Sequence, residues 1–349
     1  MNLYYLFIHV VDIFLLTVLS KLIPRHNFII LFNEKLKMGL KKSLILSCLL
    51  AIIVFSFSFL PLNDHTDFSN ISQKAIAQES SLDNLGVQNQ TKAKTTITDR
   101  SLVVKLLAES LESRINKSAA VLEVTSKLPQ IRSVSYANFI SPELHGISND
   151  LDIPKRKVAQ DILTADPNFE VIFFLMPNGN MYMEEPYSNQ QNLTRNNFAF
   201  RDYYIGAVNT NNTFLGNVII SASSGRPQAY IAIPVYLENN GTLIGVWSGG
   251  LNLTLFSESL QSLNLTNDGQ RVVYMDQQGQ KIADSDKQSL LSNRNQNESF
   301  ANLQSFKNAL KGESSFSIEI INGNRMLIFY TPMKFHSTTW AVLFMQHYN

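Results

Sequence analysis

An arginine set among aromatic residues is the most chemically suggestive feature of this chain. Arg201 lies in the run Phe198-Ala199-Phe200-Arg201-Asp202-Tyr203-Tyr204. A guanidinium grips a carboxylate or phosphate through two parallel hydrogen bonds, and tyrosines supply apolar walls with polar tips. Arg201, Tyr203 and Tyr204 together suit a small anionic or zwitterionic ligand. The same residues admit a plainer reading, in which Arg201 pairs with Asp202 or with a carbonyl and caps a helix. Downstream come Val218-Ile219-Ile220-Ser221, a Ser223-Ser224-Gly225-Arg226-Pro227 turn and the strand-like Ile231-Ala232-Ile233-Pro234-Val235. Tyr182 and Ser221, on adjoining predicted strands, are further candidates for the same pocket. Arg226 either adds positive charge at its mouth or is an exposed turn residue beside Pro227.

Catalytic arrangements do not assemble. The chain has no His-Glu-x-x-His, no Gly-x-Ser-x-Gly, no phosphate-cradling glycine loop and no acidic cluster with metal-ligand spacing. Ser248, in Trp247-Ser248-Gly249-Gly250, sits in a predicted strand without a histidine near it in sequence. His145, His336 and His347 read as surface or turn residues. A single cysteine, Cys48, excludes an internal disulfide and a multi-cysteine zinc site. As a lipid anchor it is misplaced, because most of the apolar core follows it. The expectation is a protein without enzymatic activity, cofactor or metal. A net charge of +1, with 16% charged residues, argues against a nucleic-acid partner.

The elements that must position Arg201 are legible from apolar spacing. Val104, Leu107, Leu111, Ile115, Ala119 and Leu122 recur every three to four residues, which predicts a long helix from Thr98 to Lys127, ending before Pro129. A shorter helix is predicted over Lys155–Leu163, after Pro154. Two hairpins follow, 171–175 with 181–184 across Pro177-Asn178-Gly179, and 229–236 with 243–251 across Asn239-Asn240-Gly241. A second copy begins one hundred residues on, where Val272-Val273-Tyr274-Met275 and Gly279 mirror Ile172-Phe173-Phe174-Leu175 and Gly179. A helix at 300–310 and strands at 316–321, 326–332 and 340–345 complete it. The predicted architecture is α+β: one long helix with two PAS-like antiparallel-sheet modules, 97–265 including the helix and 266–349.

Two apolar runs open the chain, and the second, Leu44–Leu60, carries no charge and follows Lys35, Lys37, Lys41 and Lys42. Basic residues stay on the cytoplasmic side, so the chain after Leu60 is expected outside the cell. Residues 1–60 are read as membrane or signal segments, with Met38 as a possible second start, and the polar tract 61–96 as a linker. Ala75-Ile76-Ala77 has the small-x-small form of a signal-peptidase site. The product is either membrane-anchored with an extracellular domain or secreted after cleavage at Ala77.

The Phe-x-x-Arg-Asp-Tyr-Tyr-x-x-Ala pattern, the Ser-Gly-Arg-Pro turn, the strand ending Ile-Pro-Val and the run Leu243-Ile244-Gly245-Val246-Trp247-Ser248-Gly249-Gly250-Leu251 together resemble the double Cache extracytoplasmic sensor family, over about residues 97–346. The resemblance implies that the Arg-x-aromatic-aromatic element lines the ligand pocket of the membrane-distal module. It also implies a carboxylate on that module's final strand in amino-acid-binding members. Gly250 stands at that position here, and the aromatic and acidic pair before the Gly-Arg-Pro turn is missing, so a simple carboxylate, or another anionic or uncharged small molecule, is expected rather than an α-amino acid. Family receptors continue into a second membrane helix and a transmitter, whereas this chain stops at Asn349 after its last predicted strand. The expectation is a sensor domain without its own transmitter that signals through a separate protein. The alternative is a structural or adhesive surface protein with a vestigial pocket; a secreted hydrolase using Ser248 is more remote.

Overall fold

The computed structural model describes residues 87–238, 241–263, 265, 269–286 and 300–348. The segments read as membrane or signal sequence, Cys48 and Ala75-Ile76-Ala77 lie outside them. Among the described residues no helix is long and apolar enough to cross a membrane.

Helix α1 spans Val87–Ser126. At about 1.5 Å per residue its 40 residues run roughly 60 Å, long enough to serve two modules. Val104, Ala108, Leu111, Ile115, Ala119 and Leu122 form its buried stripe. It starts at Val87 rather than Thr98, so the end of the stretch read as linker is helical. Apolar spacing reports only the part of a helix that covers a core, and Gln88-Asn89-Gln90-Thr91-Lys92 has none. At the other end Thr125 Oγ1 donates to the Val121 carbonyl and Ser126 Oγ to that of Glu123, each at 2.8 Å, satisfying carbonyls as the helix stops short of Pro129.

Helix α2, Ile153–Ala165, carries Pro154 in its first turn, where a missing N–H costs nothing. Then come β1 (Phe169–Leu175), β2 (Met181–Glu185), α3 (Tyr187–Gln191), α4 (Asp202–Thr210), β3 (Phe214–Leu215), β4 (Ile219–Ile220), β5 (Pro227–Gln228), β6 (Tyr230–Tyr236) and β7 (Leu243–Leu251). Helix α5 (Leu253–Gln261) leads into β8 (Gln270–Met275), β9 (Lys281–Asp284), α6 (Gln304–Leu310), β10 (Ser315–Ile321), β11 (Asn324–Phe335) and β12 (Thr338–His347). The helix expected at 300–310 therefore begins only at Gln304.

Two five-stranded antiparallel sheets result, ordered β2-β1-β7-β6-β3 and β9-β8-β12-β11-β10. The second repeats the first strand for strand. Even an irregularity recurs: the β1–β2 register slips between Phe174 and Leu175, and the β8–β9 register between Tyr274 and Met275. Gly179 and Gly279 follow at φ +80 and +78, with their missing Cβ atoms facing Ala199 and Ala301. Those close approaches explain glycine at both turns.

One face of each sheet packs on α1. In the first module Ile172, Phe174 and Trp247 join that core; in the second Val272, Tyr274, Trp340 and Val342 do so. Trp247 Nε1 donates to Thr125 Oγ1 at 3.1 Å, and the Tyr274 hydroxyl to the Leu107 carbonyl at 3.4 Å, so the two sheets hold different stretches of α1. The opposite faces carry α4 in the first module and α6 in the second. Hydrogen bonds among the described residues join the modules directly, Asp284 N donating to Ser257 Oγ at 3.3 Å. Val218 N donates to Asp276 Oδ2, and Thr338 Oγ1 to the Leu215 carbonyl, each at 2.8 Å.

Candidate ligand-binding site

The face of the first sheet under α4 collects most of the residues singled out above. Arg201 is the extended residue immediately before α4, φ −73 and ψ 140, and Asp202 opens the helix. The Asp202 carboxylate accepts from Tyr203 N at 2.8 Å, Asn217 N at 2.7 Å and Asn217 Nδ2 at 3.0 Å. An acid at a helix N-terminus complements the helix dipole and here also ties down the segment entering β4. Asp202 is thus committed to backbone, and Arg201 does not pair with it. Arg201 Nη2 instead donates to the Ile220 carbonyl at 3.2 Å, and its guanidinium lies 5.1 Å from the Phe200 ring centroid. This carbonyl contact is the plainer role foreseen for Arg201. It uses one of five N–H donors on a half-buried side chain, and so leaves capacity for an anion.

Tyr203 is buried, 4.7 Å from the Tyr230 ring and 5.9 Å from Phe173. Burial, then the neighbouring Tyr230, drives the Tyr203 hydroxyl well above the usual tyrosine range. Burial raises Tyr230 likewise, and a hydrogen bond to Ser221 opposes that rise. Ser221 is itself buried, holding the β4–β5 turn by accepting from Ser224 N at 3.3 Å. Arg201, Tyr203 and Ser221 are therefore neighbours around Tyr230. Tyr204 is buried beside them but is occupied elsewhere, its hydroxyl donating to the Pro177 carbonyl at 2.6 Å.

Tyr182 is not in this group. It lies on the other face of the sheet, edge-on to Phe174 at 5.8 Å, with its hydroxyl donating to Asp152 Oδ2 at 2.7 Å. Simple alternation would put Tyr182 on the face of Glu184, but the bulge at this point of β1–β2 adds a residue and turns it over. Its surroundings are a polar strut under α2. The buried Lys155 ammonium donates to the Ile131 and Ser133 carbonyls at 2.9 and 2.6 Å and lies 4.1 Å over Phe174. Arg156 pairs with Glu185 at 2.6 Å, both buried.

The structure adds two residues that sequence reasoning missed. Glu184 pairs in register with Phe173, on the face of Tyr203 and Tyr230. It is 2% exposed, and among the described residues no cation pairs with it. Burial, with the adjacent Glu185, pushes its carboxyl up to about 7, against a hydrogen bond from Ser223 that lowers it. Gln228 is the second. Its Oε1 accepts from the Tyr230 hydroxyl at 2.7 Å, and a Cβ built on Gly250 would fall 2.8 Å from its Cδ. The glutamine amide lies where the resemblance places a carboxylate. Two consecutive acids in the strand-like, otherwise uncharged Met181-Tyr182-Met183-Glu184-Glu185 were the available signal for Glu184; nothing local pointed to Gln228.

Arg226 is exposed and pairs with Glu170 at 3.2 Å, the turn-residue role. Ser248 Oγ is fully buried and donates to the Ile231 carbonyl at 2.8 Å. Among the described residues no cluster of three or more His, Cys, Asp or Glu could hold a metal ion.

Comparisons with known proteins bear on the fold and the family. No curated protein matches the chain. Among solved structures it is similar to the ligand-binding domain of Pseudomonas fluorescens chemoreceptor CtaA in complex with L-isoleucine, at 16% identity and TM-score 0.52, over 75% of this chain and 96% of that one. It is also similar to the ligand-binding domain of Pseudomonas aeruginosa amino acid chemoreceptor PctC in complex with GABA, at 15% identity and TM-score 0.50, over 72% and 99%. An extracellular ligand binding receptor from Desulfohalobium retbaense matches at 13% identity and TM-score 0.50, over 70% of this chain and 39% of that one. With a Cache domain match running from residue 85 to residue 349, this chain belongs to the Cache family.

Proposed function

We propose that the first module holds a small zwitterionic ligand, its carboxylate on Arg201 and its cationic end on Glu184. As a Cache domain the chain is a ligand-binding sensor domain; the ligand chemistry is our reading. One observation carries it: Glu184 is a buried carboxylate without a cation, beside the same tyrosine pair as Arg201. A buried anion of this kind either stays protonated or waits for a cationic partner. This reading departs from the expectation of a simple carboxylate rather than an α-amino acid, which rested on the loss of an acid at Gly250. L-isoleucine and GABA, in the solved structures of similar fold, both carry a carboxylate and an amine. Entry requires the Ser221–Gly225 turn to move, since Ser223 holds Glu184. The lysines before Leu44 support a location outside the cell with an N-terminal membrane anchor; protease added to intact cells should then reach the sensor domain, and full protection would refute it.

The ligand test is a thermal-shift screen of the full chain with acetate, ethylamine, glycine, isoleucine and GABA. A zwitterion at a hundredfold excess over its Kd should stabilise by about 2.7 kcal/mol, and Arg201→Ala and Glu184→Gln should each remove that shift. If acetate alone matches the best amino acid and Glu184→Gln changes nothing, the ligand is a simple carboxylate. If no compound acts, or Arg201→Ala unfolds the chain, the ligand site fails and the structural or adhesive reading stands.

A further inference from the structure

A cavity of about 630 Å³, whose lining does not include Arg201, opens between the 137–142 segment and the β1–β2 hairpin turn. That size lies within the range of small-molecule sites. Three asparagines line it, Asn178, Asn180 and Asn196, opposite the apolar Ile140, Pro142 and Met176; no lining side chain is charged.

Hydrogen bonding decides which way the Asn178 and Asn180 amides face. Asn197 Oδ1 accepts from Ala199 N at 3.0 Å, which fixes Asn197, so its Nδ2 is the atom donating to Asn180 Oδ1 at 2.8 Å and to the Asn178 carbonyl at 2.8 Å. Asn178 Oδ1 accepts from Asn180 N at 3.1 Å, and Asn196 Oδ1 is bonded to His145 Nδ1. The oxygens of Asn178 and Asn180 are spent on the scaffold. Their two Nδ2 groups have no partner among the described residues and are left as donors. The backbone beneath them is pinned as well, with Met176 N donating to the Asn180 carbonyl and Met181 N to that of Asn196, both at 2.8 Å.

We infer that this cavity is a second binding site, for a neutral, oxygen-rich ligand of the saccharide or polyol class. Two oriented amide donors, with the Asn196 amide beside them, call for a ligand rich in acceptors. An anion would be stripped of water without a cation to meet it, which three neutral amides do not repay. Sugar hydroxyls accept from amides while C–H faces pack on apolar walls such as Ile140, Pro142 and Met176. Tyr204 connects this site to the first: its hydroxyl holds the Pro177 carbonyl, and its helix begins next to Arg201.

The test titrates the full chain by calorimetry with glucose, galactose, N-acetylglucosamine, maltose and myo-inositol, with acetate and sulfate as charged probes. At least one neutral compound should bind saturably. Asn180→Asp and Asn178→Asp keep the scaffold-bonded oxygen and replace a donor by an acceptor; each should weaken that binding tenfold or more without changing the melting temperature. Arg201→Ala should leave it unchanged, which separates this site from the first. Absence of binding by every neutral compound, preference for the charged probes, or insensitivity to both aspartate variants overturns the inference.

Discussion

The two modules share strand order, a β-bulge and a glycine turn, yet their helix-covered faces have opposite chemistry. Around α4 the first module has Arg201, Tyr203 and Tyr204; the same places before and within α6 are Leu303, Ser305 and Phe306. Tyr230, which pairs with Gly250, corresponds to Ile328, which pairs with Met345. The carboxylates make the sharpest contrast. Glu184 pairs with Phe173 across β1–β2 exactly as Asp284 pairs with Val273 across β8–β9, but Asp284 is held by Arg271 at 2.7 Å and Lys281 at 3.1 Å. Val171 and Met181 stand where those cations would be. One module neutralises its buried acid with its own side chains and fills the rest with Phe300, Phe306 and Leu343. The other buries its acid with no cation pairing with it among the described residues. The two modules keep the same strand order and register, and a handful of positions set the chemistry of the face under each helix.

Breaking the self-sufficient module should have the largest effect. Asp284→Ala removes the fully buried carboxylate that Arg271 and Lys281 both hold and should cost about 3–5 kcal/mol in chemical unfolding, with or without ligand. Glu184→Gln should do the reverse. A carboxyl raised in the fold from 4.5 to about 7 stays protonated there while the unfolded chain ionises. Unliganded stability therefore falls as pH rises from about 4.5 to 7, and the full penalty, on the order of 3 kcal/mol as an upper bound, is present above that window. Glu184→Gln should flatten the slope and stabilise the unliganded chain at pH 8 but not at pH 4; a variant less stable at pH 8 would mean that Glu184 already has its partner.

Smaller effects sharpen the assignment of faces. Tyr182→Phe removes the bond to Asp152 and should cost about 1–2 kcal/mol while leaving amino-acid binding unchanged. A lost ligand response would return Tyr182 to the site. Arg201→Ala should lower unliganded stability by less than about 1 kcal/mol, because its contacts are one carbonyl and one exposed ring, and its effect should be read in ligand-induced stabilisation instead.

Which parts of this were legible beforehand follows from how far each signal reaches. The buried stripe of α1 from Val104 to Leu122, the glycine-marked hairpins and the hundred-residue repeat all come from local periodicity and turn chemistry, because burial recurs with the pitch of the element that carries it. The Arg201-Asp202-Tyr203-Tyr204 run stood out by composition alone. So the chain's own order of residues was enough to state one long helix, two antiparallel modules and a single arginine–tyrosine cluster in the first. Only tertiary structure decided that a bulge turns Tyr182 to the other face, that Gln228 reaches over Gly250, and that asparagine oxygens at the hairpin tip are spent on their neighbours. It also decided that Glu184 lies unpaired where Asp284 is doubly paired. Each of these is set by which residue faces which across a strand register or a turn, and that pairing joins positions whose separation in sequence carries no periodic signal.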